Sequence, residues 1–323
     1  MVLTEAMAKK WARVGQRATF GLVALELAKN DNSLIALTAD VSTSAGLERL
    51  KKTLPEQFLD VGIAEQNMMG IAAGLASEGY HVITATFAPF QTMRCLEQIR
   101  VNMGYMQTKV CMVGLASGIA LSTLGNTHCC LEDIAVLRGI PNIAIISPAD
   151  CGEVAKAVEA AMKYPESVYI RLMGTANMPI IYKEDYDFQI GKGIILKEGK
   201  DIAIITNGTM VNESIKTAEL LHEKGISVKI INMHTIKPID RELVNKICDE
   251  VKLIVTVEEH NIIGGLGSAV AECKTVRKDA PPQLLIGLPD QYSKGGSYKE
   301  LLKSYGLTAE QIAEKILQFM GVN

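Results

Sequence analysis

The chain has 323 residues, 48% hydrophobic, 21% charged and 5% aromatic, which suits an ordinary globular protein with a large core and, at roughly 150 residues per domain, about two domains. Thirty-three Lys and Arg against 36 Asp and Glu give a formal net charge of −3, too balanced for a broad attraction to nucleic acid or anionic membrane, so a small-molecule substrate is expected. Seven cysteines without CxxC spacing argue against a disulfide framework or zinc ribbon and fit a reducing cytoplasm, and with no basic-then-apolar leader and no window near about 18 apolar residues, a soluble, unexported protein is expected.

Short β-branched runs alternate with longer amphipathic runs, the rhythm of parallel strands joined by crossover helices. Strands are expected at 34–38, 82–86, 110–115, 143–147 and 168–172, then at 202–206, 228–232, 253–258 and 283–287. Helices are expected at 14–29, 64–77, 90–102, 152–163, 211–223, 241–250, 267–276 and 308–320. Pro179, the charged and aromatic stretch Tyr182-Lys-Glu-Asp-Tyr-Asp-Phe188 and the pair Gly191 and Gly193 interrupt the rhythm, which places a domain boundary in 178–192.

Four segments carry residues suited to chemistry. In Asp60-Val-Gly-Ile-Ala-Glu-Gln-Asn-Met-Met-Gly-Ile-Ala-Ala-Gly-Leu75 a glycine-turned strand end runs into a Gly- and Ala-rich helix, and Glu65 is the one acid after Asp60. The helix dipole there favours its anion while apolar surroundings favour the neutral acid; taken alone, a first-turn cap is the simpler reading. Phe87 and Phe90 follow the 82–86 strand at its carboxyl end, where open α/β sheets bind ligands. Their rings could stack on a flat heterocycle or fill a core.

The loop Leu124-Gly-Asn-Thr-His-Cys-Cys-Leu-Glu-Asp133 presents His128, suited to proton transfer near neutral pH or simply solvated. Its neighbours Cys129 and Cys130 are poorly placed for a thiol–imidazole pair, and His81, His222, His234 and His260 show no metal-ligand spacing, so no metal ligand is expected from this chain. Gly264-Gly-Leu-Gly267 before a helix could cradle an anion or make a tight turn, and it lacks the full setting of a dinucleotide fingerprint.

Together these segments resemble the C-terminal half of transketolases of the split kind, in which a thiamine diphosphate enzyme is divided over two polypeptides. The resemblance covers nearly the whole chain. It rests on Val61-Gly-Ile-Ala-Glu-Gln-Asn67 with Ala72-Ala-Gly-Leu75, on Thr86-Phe-Ala-Pro-Phe90, and on Arg94 with Glu97-Gln-Ile-Arg100. Further along it rests on Gly125-Asn-Thr-His128 with Glu132-Asp-Ile-Ala-Val-Leu-Arg138, on Pro141-Asn and Ser147-Pro-Ala-Asp150, and on Val257-Glu-Glu-His-Asn261 with Gly264-Gly-Leu-Gly-Ser-Ala-Val270.

The resemblance implies an α/β protein of two doubly wound domains with mainly parallel sheets: a pyrimidine-binding domain over 1–180 and a transketolase C-terminal domain over 190–323. It implies that Glu65 hydrogen-bonds N1′ of the cofactor's aminopyrimidine, favouring the imino form that takes the thiazolium C2 proton. Phe87 and Phe90 would flank the pyrimidine and Val41 would help hold the cofactor bent. His128 would assist proton transfers at the reacting hydroxyls, and Arg17 would bind an anionic group on the sugar. The implied reaction moves a two-carbon ketol unit from a ketose to an aldehyde.

The Gly-Asp-Gly motif with which the family holds the diphosphate and its Mg²⁺ (or Ca²⁺) occurs nowhere in the chain. The resemblance therefore implies an N-terminal partner subunit that carries it, inactivity of this chain alone, and an α2β2 heterotetramer with cofactor sites at its interfaces. The sugar-binding pattern also departs from the family's: Asn126 replaces a Pro, Leu124 stands where an Asp is usual, Ala116 replaces a further His, and Gly174 replaces a phosphate-binding Arg. Arg171 is close to that position, but its odd offset along the strand directs it elsewhere. An atypical sugar, such as a deoxy, branched or sulfonated one, is expected.

Three alternatives share the architecture. The β subunit of a 2-oxoacid dehydrogenase is disfavoured by Glu-Glu-His-Asn and Gly-Asn-Thr-His. Deoxyxylulose-phosphate synthase is normally one long chain, and a noncatalytic subunit is disfavoured by the joint presence of Glu65, Phe87, Phe90 and His128.

Overall fold

The computed structural model describes residues 2–173, 176–292 and 294–322; Gly174 lies outside the described residues. Strands follow as β1 (Leu34–Thr38), β2 (Phe58–Asp60), β3 (His81–Phe87), β4 (Val110–Leu115), β5 (Ile143–Ile146), β6 (Ser167–Arg171), β7 (Ile194–Lys197), β8 (Ile202–Thr206), β9 (Val228–Asn232), β10 (Thr235–Lys237), β11 (Leu253–Asn261) and β12 (Gln283–Leu288). They form a seven-stranded sheet in the order β10-β5-β6-β4-β3-β1-β2 and a five-stranded sheet in the order β12-β11-β8-β9-β7. Pairing is parallel except at β10 with β5 and β7 with β9, where β10 and β7 are edge strands. This is the doubly wound, mainly parallel α/β architecture that the alternating pattern predicts.

Successive residues of each central strand feed opposite cores, because side chains alternate across a sheet. Ile83, Ala85, Cys111 and Val113 pack on one face with Phe20 and Val154 of flanking helices, while Val82, Val110 and Met112 pack on the other with Met68 and Met69 of the helix Glu65–Ser77. Helices on both faces explain why β4 and β5 read as unbroken apolar runs and are buried at every position. Each large side chain so buried stabilises the fold by about 1.5–3 kcal/mol.

The predicted 14–29 helix is Gln16–Asn30, and an unpredicted helix, Glu5–Val14, precedes it, the two separated at Gly15 with φ 85°. One predicted helix differs in the structure. The 90–102 helix is a short turn Ala88–Gln91, a turn Leu96–Gln98 and a π-helical coil Ile99–Tyr105. The Thr92 hydroxyl donates to the Ala88 carbonyl, and the Arg94 N–H reaches back five residues to the Pro89 carbonyl, so the coil widens rather than continuing as an α-helix.

Candidate active site

Four adjacent strands, β2, β1, β3 and β4, end on one edge of the first sheet, the edge at which open α/β sheets build ligand sites. Asp60 at the end of β2 ties two of the loops together: its Oδ1 accepts the Asp40 N–H at 2.8 Å and the Gly62 N–H at 3.1 Å. Gly62, at φ 72°, then turns the chain into the helix that begins at Glu65. The Glu65 side chain is 4% exposed, and its Oε1 accepts from Arg94 Nη1 at 2.7 Å. The guanidinium of Arg94 lies over the Phe90 ring, 3.9 Å from its centroid.

Phe87, Phe90 and His128 form a triangle of rings. Phe87 and Phe90 meet edge-on at 6.1 Å between centroids, and the imidazole lies 5.8 Å from Phe87 and 5.3 Å from Phe90. The Thr127 hydroxyl is 3.0 Å from His128 Nδ1, and the His128 backbone N–H donates to the Gly125 carbonyl, so both ring and backbone are oriented locally. Glu65, Phe90, Phe87 and His128, drawn from the carboxyl-end segments of β2, β3 and β4, are thus contiguous through Arg94.

Val41 and Arg17 stand on the same edge. Val41 is in the loop after β1, and its carbonyl accepts the Ala45 N–H. That loop is pressed against the helix carrying Arg17: a Cβ on Gly21 would lie 2.0 Å from the Gly46 carbonyl oxygen, so glycine is needed there. No hydrogen bond, ion pair or ring contact joins Val41 or Arg17 to the ring triangle among the described residues. Arg17 is half-buried, and loss of hydration lowers its guanidinium pKa.

The loop bearing His128 is anchored from the second sheet. Glu259 on β11 is fully buried; its Oε1 accepts the Ile119 N–H at 2.9 Å, and its Oε2 accepts the Thr209 hydroxyl at 2.8 Å and the Tyr298 hydroxyl at 2.6 Å. Burial pushes the Glu259 carboxyl up, opposed by those donors. The same approach makes Gly118 necessary, since a Cβ there would sit 2.3 Å from Glu259 Oε1 at a φ of 63°. Its neighbours on β11 are equally committed. Glu258 accepts the N–H groups of Leu266 and Gly267 at 2.7 and 2.8 Å, so the glycine turn considered for an external anion already holds an internal carboxylate. Burial drives the His260 imidazole down to about 4, which leaves it neutral.

Arg171 has no exposed surface: its Nε donates to both Asp133 oxygens at 3.0 and 2.8 Å and its Nη2 to the Glu259 carbonyl at 2.9 Å. It points into the junction between the sheets. Cys129 and Cys130 are buried, and burial raises the Cys130 thiol well above its ordinary range, which argues against either as a nucleophile.

The residues fit a flat, weakly basic heterocycle. One buried carboxylate at a helix start faces a phenylalanine ring, and a planar donor already spans the two. Around this slot apolar side chains stand in water: Ile63 is 77% exposed, Leu124 55% and Met93 38%. A cleft of about 710 Å³ lies elsewhere, beside β12 and the terminal helix Ala309–Met320. That cleft is lined by neither a carboxylate nor a histidine, so the ring site carries the better chemistry. No cluster of three or more His, Cys, Asp and Glu able to hold a metal occurs among the described residues, nor is any helix there long and apolar enough to cross a membrane.

Arg94 and Glu259 were legible only as parts of motifs. Their roles depend on the widened turn after Phe90 and on β11 reaching the other sheet.

Known proteins match this chain over nearly its whole length. The family described as "Transketolase, pyrimidine binding domain" matches residues 13–176, and "Transketolase, C-terminal domain" matches residues 191–312. The chain is 40% identical over 305 residues to one subunit of an apulose-4-phosphate transketolase of Phocaeicola vulgatus, covering 94% of this chain and 97% of that protein. It is 35% identical to a 6-deoxy-6-sulfo-D-fructose transketolase subunit of Clostridium sp., covering 92% and 91%. The solved structure of a split-gene transketolase, described as an inactive beta4 tetramer, superposes with a TM-score of 0.85 at 35% identity, covering 94% of this chain and 97% of that one.

Proposed function

The chain belongs to the transketolase family, and on that premise we propose that it is the pyrimidine-holding subunit of a two-polypeptide transketolase, moving a two-carbon ketol unit from a ketose to an aldehyde. The observation that carries this reading is the buried Glu65 carboxylate, set at a helix start beside Phe90 and already paired with a planar nitrogen donor. Thiamine diphosphate, when bound, supplies the carbon nucleophile and electron sink for carbon–carbon cleavage.

The chain's own residues then have defined tasks. Glu65 shares a proton with the pyrimidine nitrogen N1′; Phe87 and Phe90 hold the ring flat and exclude water; Val41 limits the space on the adjoining loop. His128, fixed by Thr127, passes protons to and from substrate hydroxyls. Arg17, half-buried and with its side chain in no hydrogen bond or ion pair among the described residues, receives an anionic end of the sugar.

The diphosphate and its Mg²⁺ (or Ca²⁺) belong on this reading to an N-terminal partner with Gly-Asp-Gly, in an α2β2 heterotetramer. Supporting it are the missing motif and the exposed Ile63, Met93 and Leu124 beside the site, an apolar rim of the kind that marks a protein contact. We divide the chain into a pyrimidine-binding domain over 1–180 and a C-terminal domain over 190–323, with β10 reaching back into the first sheet. Seven free, buried cysteines accord with a cytoplasmic location.

The substrate we propose is a sugar with a modified terminal group. Leu124 lies 55% exposed on the His128 loop where an Asp would contact a donor hydroxyl, and two relatives bear the names of apulose-4-phosphate and sulfofructose enzymes. The test is a donor and acceptor panel, with the chain reconstituted with a partner subunit, thiamine diphosphate and Mg²⁺. Branched, deoxy or sulfonated sugars should exceed ordinary pentose phosphates in kcat/KM by at least about tenfold, the scale of one lost hydrogen bond. Preference for ordinary pentose phosphates would refute the substrate assignment.

A further inference from the structure

Arg94 has the shape and donor chemistry of the group that Glu65 and Phe90 are proposed to hold. Its guanidinium is planar, delocalised and rich in N–H donors. It donates to Glu65 Oε1 at 2.7 Å and lies 3.9 Å over the Phe90 ring centroid. A hydrogen bond to the carboxylate and a stacked contact on the phenylalanine are the two contacts an aminopyrimidine would make in this slot. Both cannot use the same carboxylate oxygen and the same ring face at once.

The surroundings fix the backbone of Arg94 and free its side chain. Its N–H donates to the Pro89 carbonyl, its carbonyl accepts from Gln66 Nε2 at 3.0 Å, and the thiol of the next residue, Cys95, donates to the Phe90 carbonyl at 3.1 Å. The side chain is 41% exposed while Glu65 is 4% exposed. A long side chain on a clamped backbone, open to water on one side, can leave without unfolding the loop. While in place it compensates a carboxylate that would otherwise be buried without a partner, a costly arrangement.

We propose that Arg94 is a displaceable stand-in for the cofactor's aminopyrimidine, closing the slot in the unloaded subunit and swinging off Glu65 and Phe90 as the cofactor enters. Resting on the cofactor role proposed for Glu65, it adds a threshold to loading, because the apparent affinity is reduced by the fraction of subunits in which Arg94 covers the slot.

Calorimetric titration of the reconstituted two-subunit protein with thiamine diphosphate and Mg²⁺ tests it, using wild type, Arg94→Ala, Arg94→Lys, Glu65→Gln and the Arg94→Ala/Glu65→Gln double variant. Arg94→Ala should bind the cofactor about fivefold more tightly, the scale of a half-exposed ion pair removed from competition. Arg94→Lys keeps the charge and loses the stacked plane, so it should fall between, and it serves as the folded control if the alanine variant is unstable. In the Glu65→Gln background most of the tightening should vanish, because the ion pair is already gone. Unchanged or weaker binding in both Arg94 variants, with wild type binding normally, overturns the stand-in role and leaves the Glu65 reading intact. Glu65→Gln with wild-type affinity and turnover overturns the Glu65 reading itself.

Discussion

Glu65 and His128 are the two side chains on which the proposed turnover depends, and they differ in how they are held. Glu65 is buried at a helix start and ion-paired; His128 sits on a loop, braced by Thr127 and by two phenylalanine rings. If His128 passes protons to substrate and does not hold the cofactor, His128→Asn should lower kcat by about 10²-fold or more while the calorimetric affinity for thiamine diphosphate stays at the wild-type value. Equal loss of cofactor affinity would make it a binding residue instead. Both side chains were legible as chemistry in the sequence, one as the lone acid entering an apolar helix, the other as a histidine in a flexible loop. That Arg94 meets Glu65 was not, since the two lie far apart in sequence on different strand ends and come together only when the sheet sets the turn after β3 beside the helix start after β2.

Among the elements, the buried central strands matched their expected positions closely because both faces are covered and the apolar runs are continuous. The short strands β7 and β10 were missed, having three or four residues and little pattern, and of β2 only the end at Asp60 was read. The junction between the sheets was equally hidden, although polar residues build it. Glu153, on the helix Cys151–Lys163, accepts from the Ala149 N–H, from the Tyr186 hydroxyl and, through both oxygens, from Asn232 Nδ2 on β9. It links one sheet's helix, the connecting segment and the other sheet. Burial pushes its carboxyl from the ordinary 4.5 up to about 7.

The sign of the resulting pH dependence follows from proton binding. Between those two values the folded chain holds a proton that the unfolded chain has released, so Glu153's contribution to stability is fully present below about pH 4.5 and is lost as pH rises through about 7. Glu153→Gln abolishes that titration. Its melting temperature relative to wild type should therefore be higher at about pH 7.5 than at about pH 4.5. A difference that does not vary with pH would show that Glu153 does not titrate in this window.

At the scale of the whole molecule, the proposed function makes the chain one wall of a shared site. The carboxylate, the rings and the imidazole face an edge rimmed by exposed apolar side chains, and the sequence has no Gly-Asp-Gly to hold a diphosphate. The small net charge matches this picture, since recognition rests on a few placed groups rather than on a charged surface. What the sequence conveyed at this scale was the missing motif. The contact between the two sheets through Glu259 was not readable, because it depends on how far β11 extends. The most direct test of the central claim is Glu65→Ala in the reconstituted two-subunit protein, with ketol transfer and sedimentation measured on the same sample. Turnover should fall by at least about 10³-fold with subunit assembly unchanged; near-normal ketol transfer by that variant would contradict a cofactor-activating Glu65.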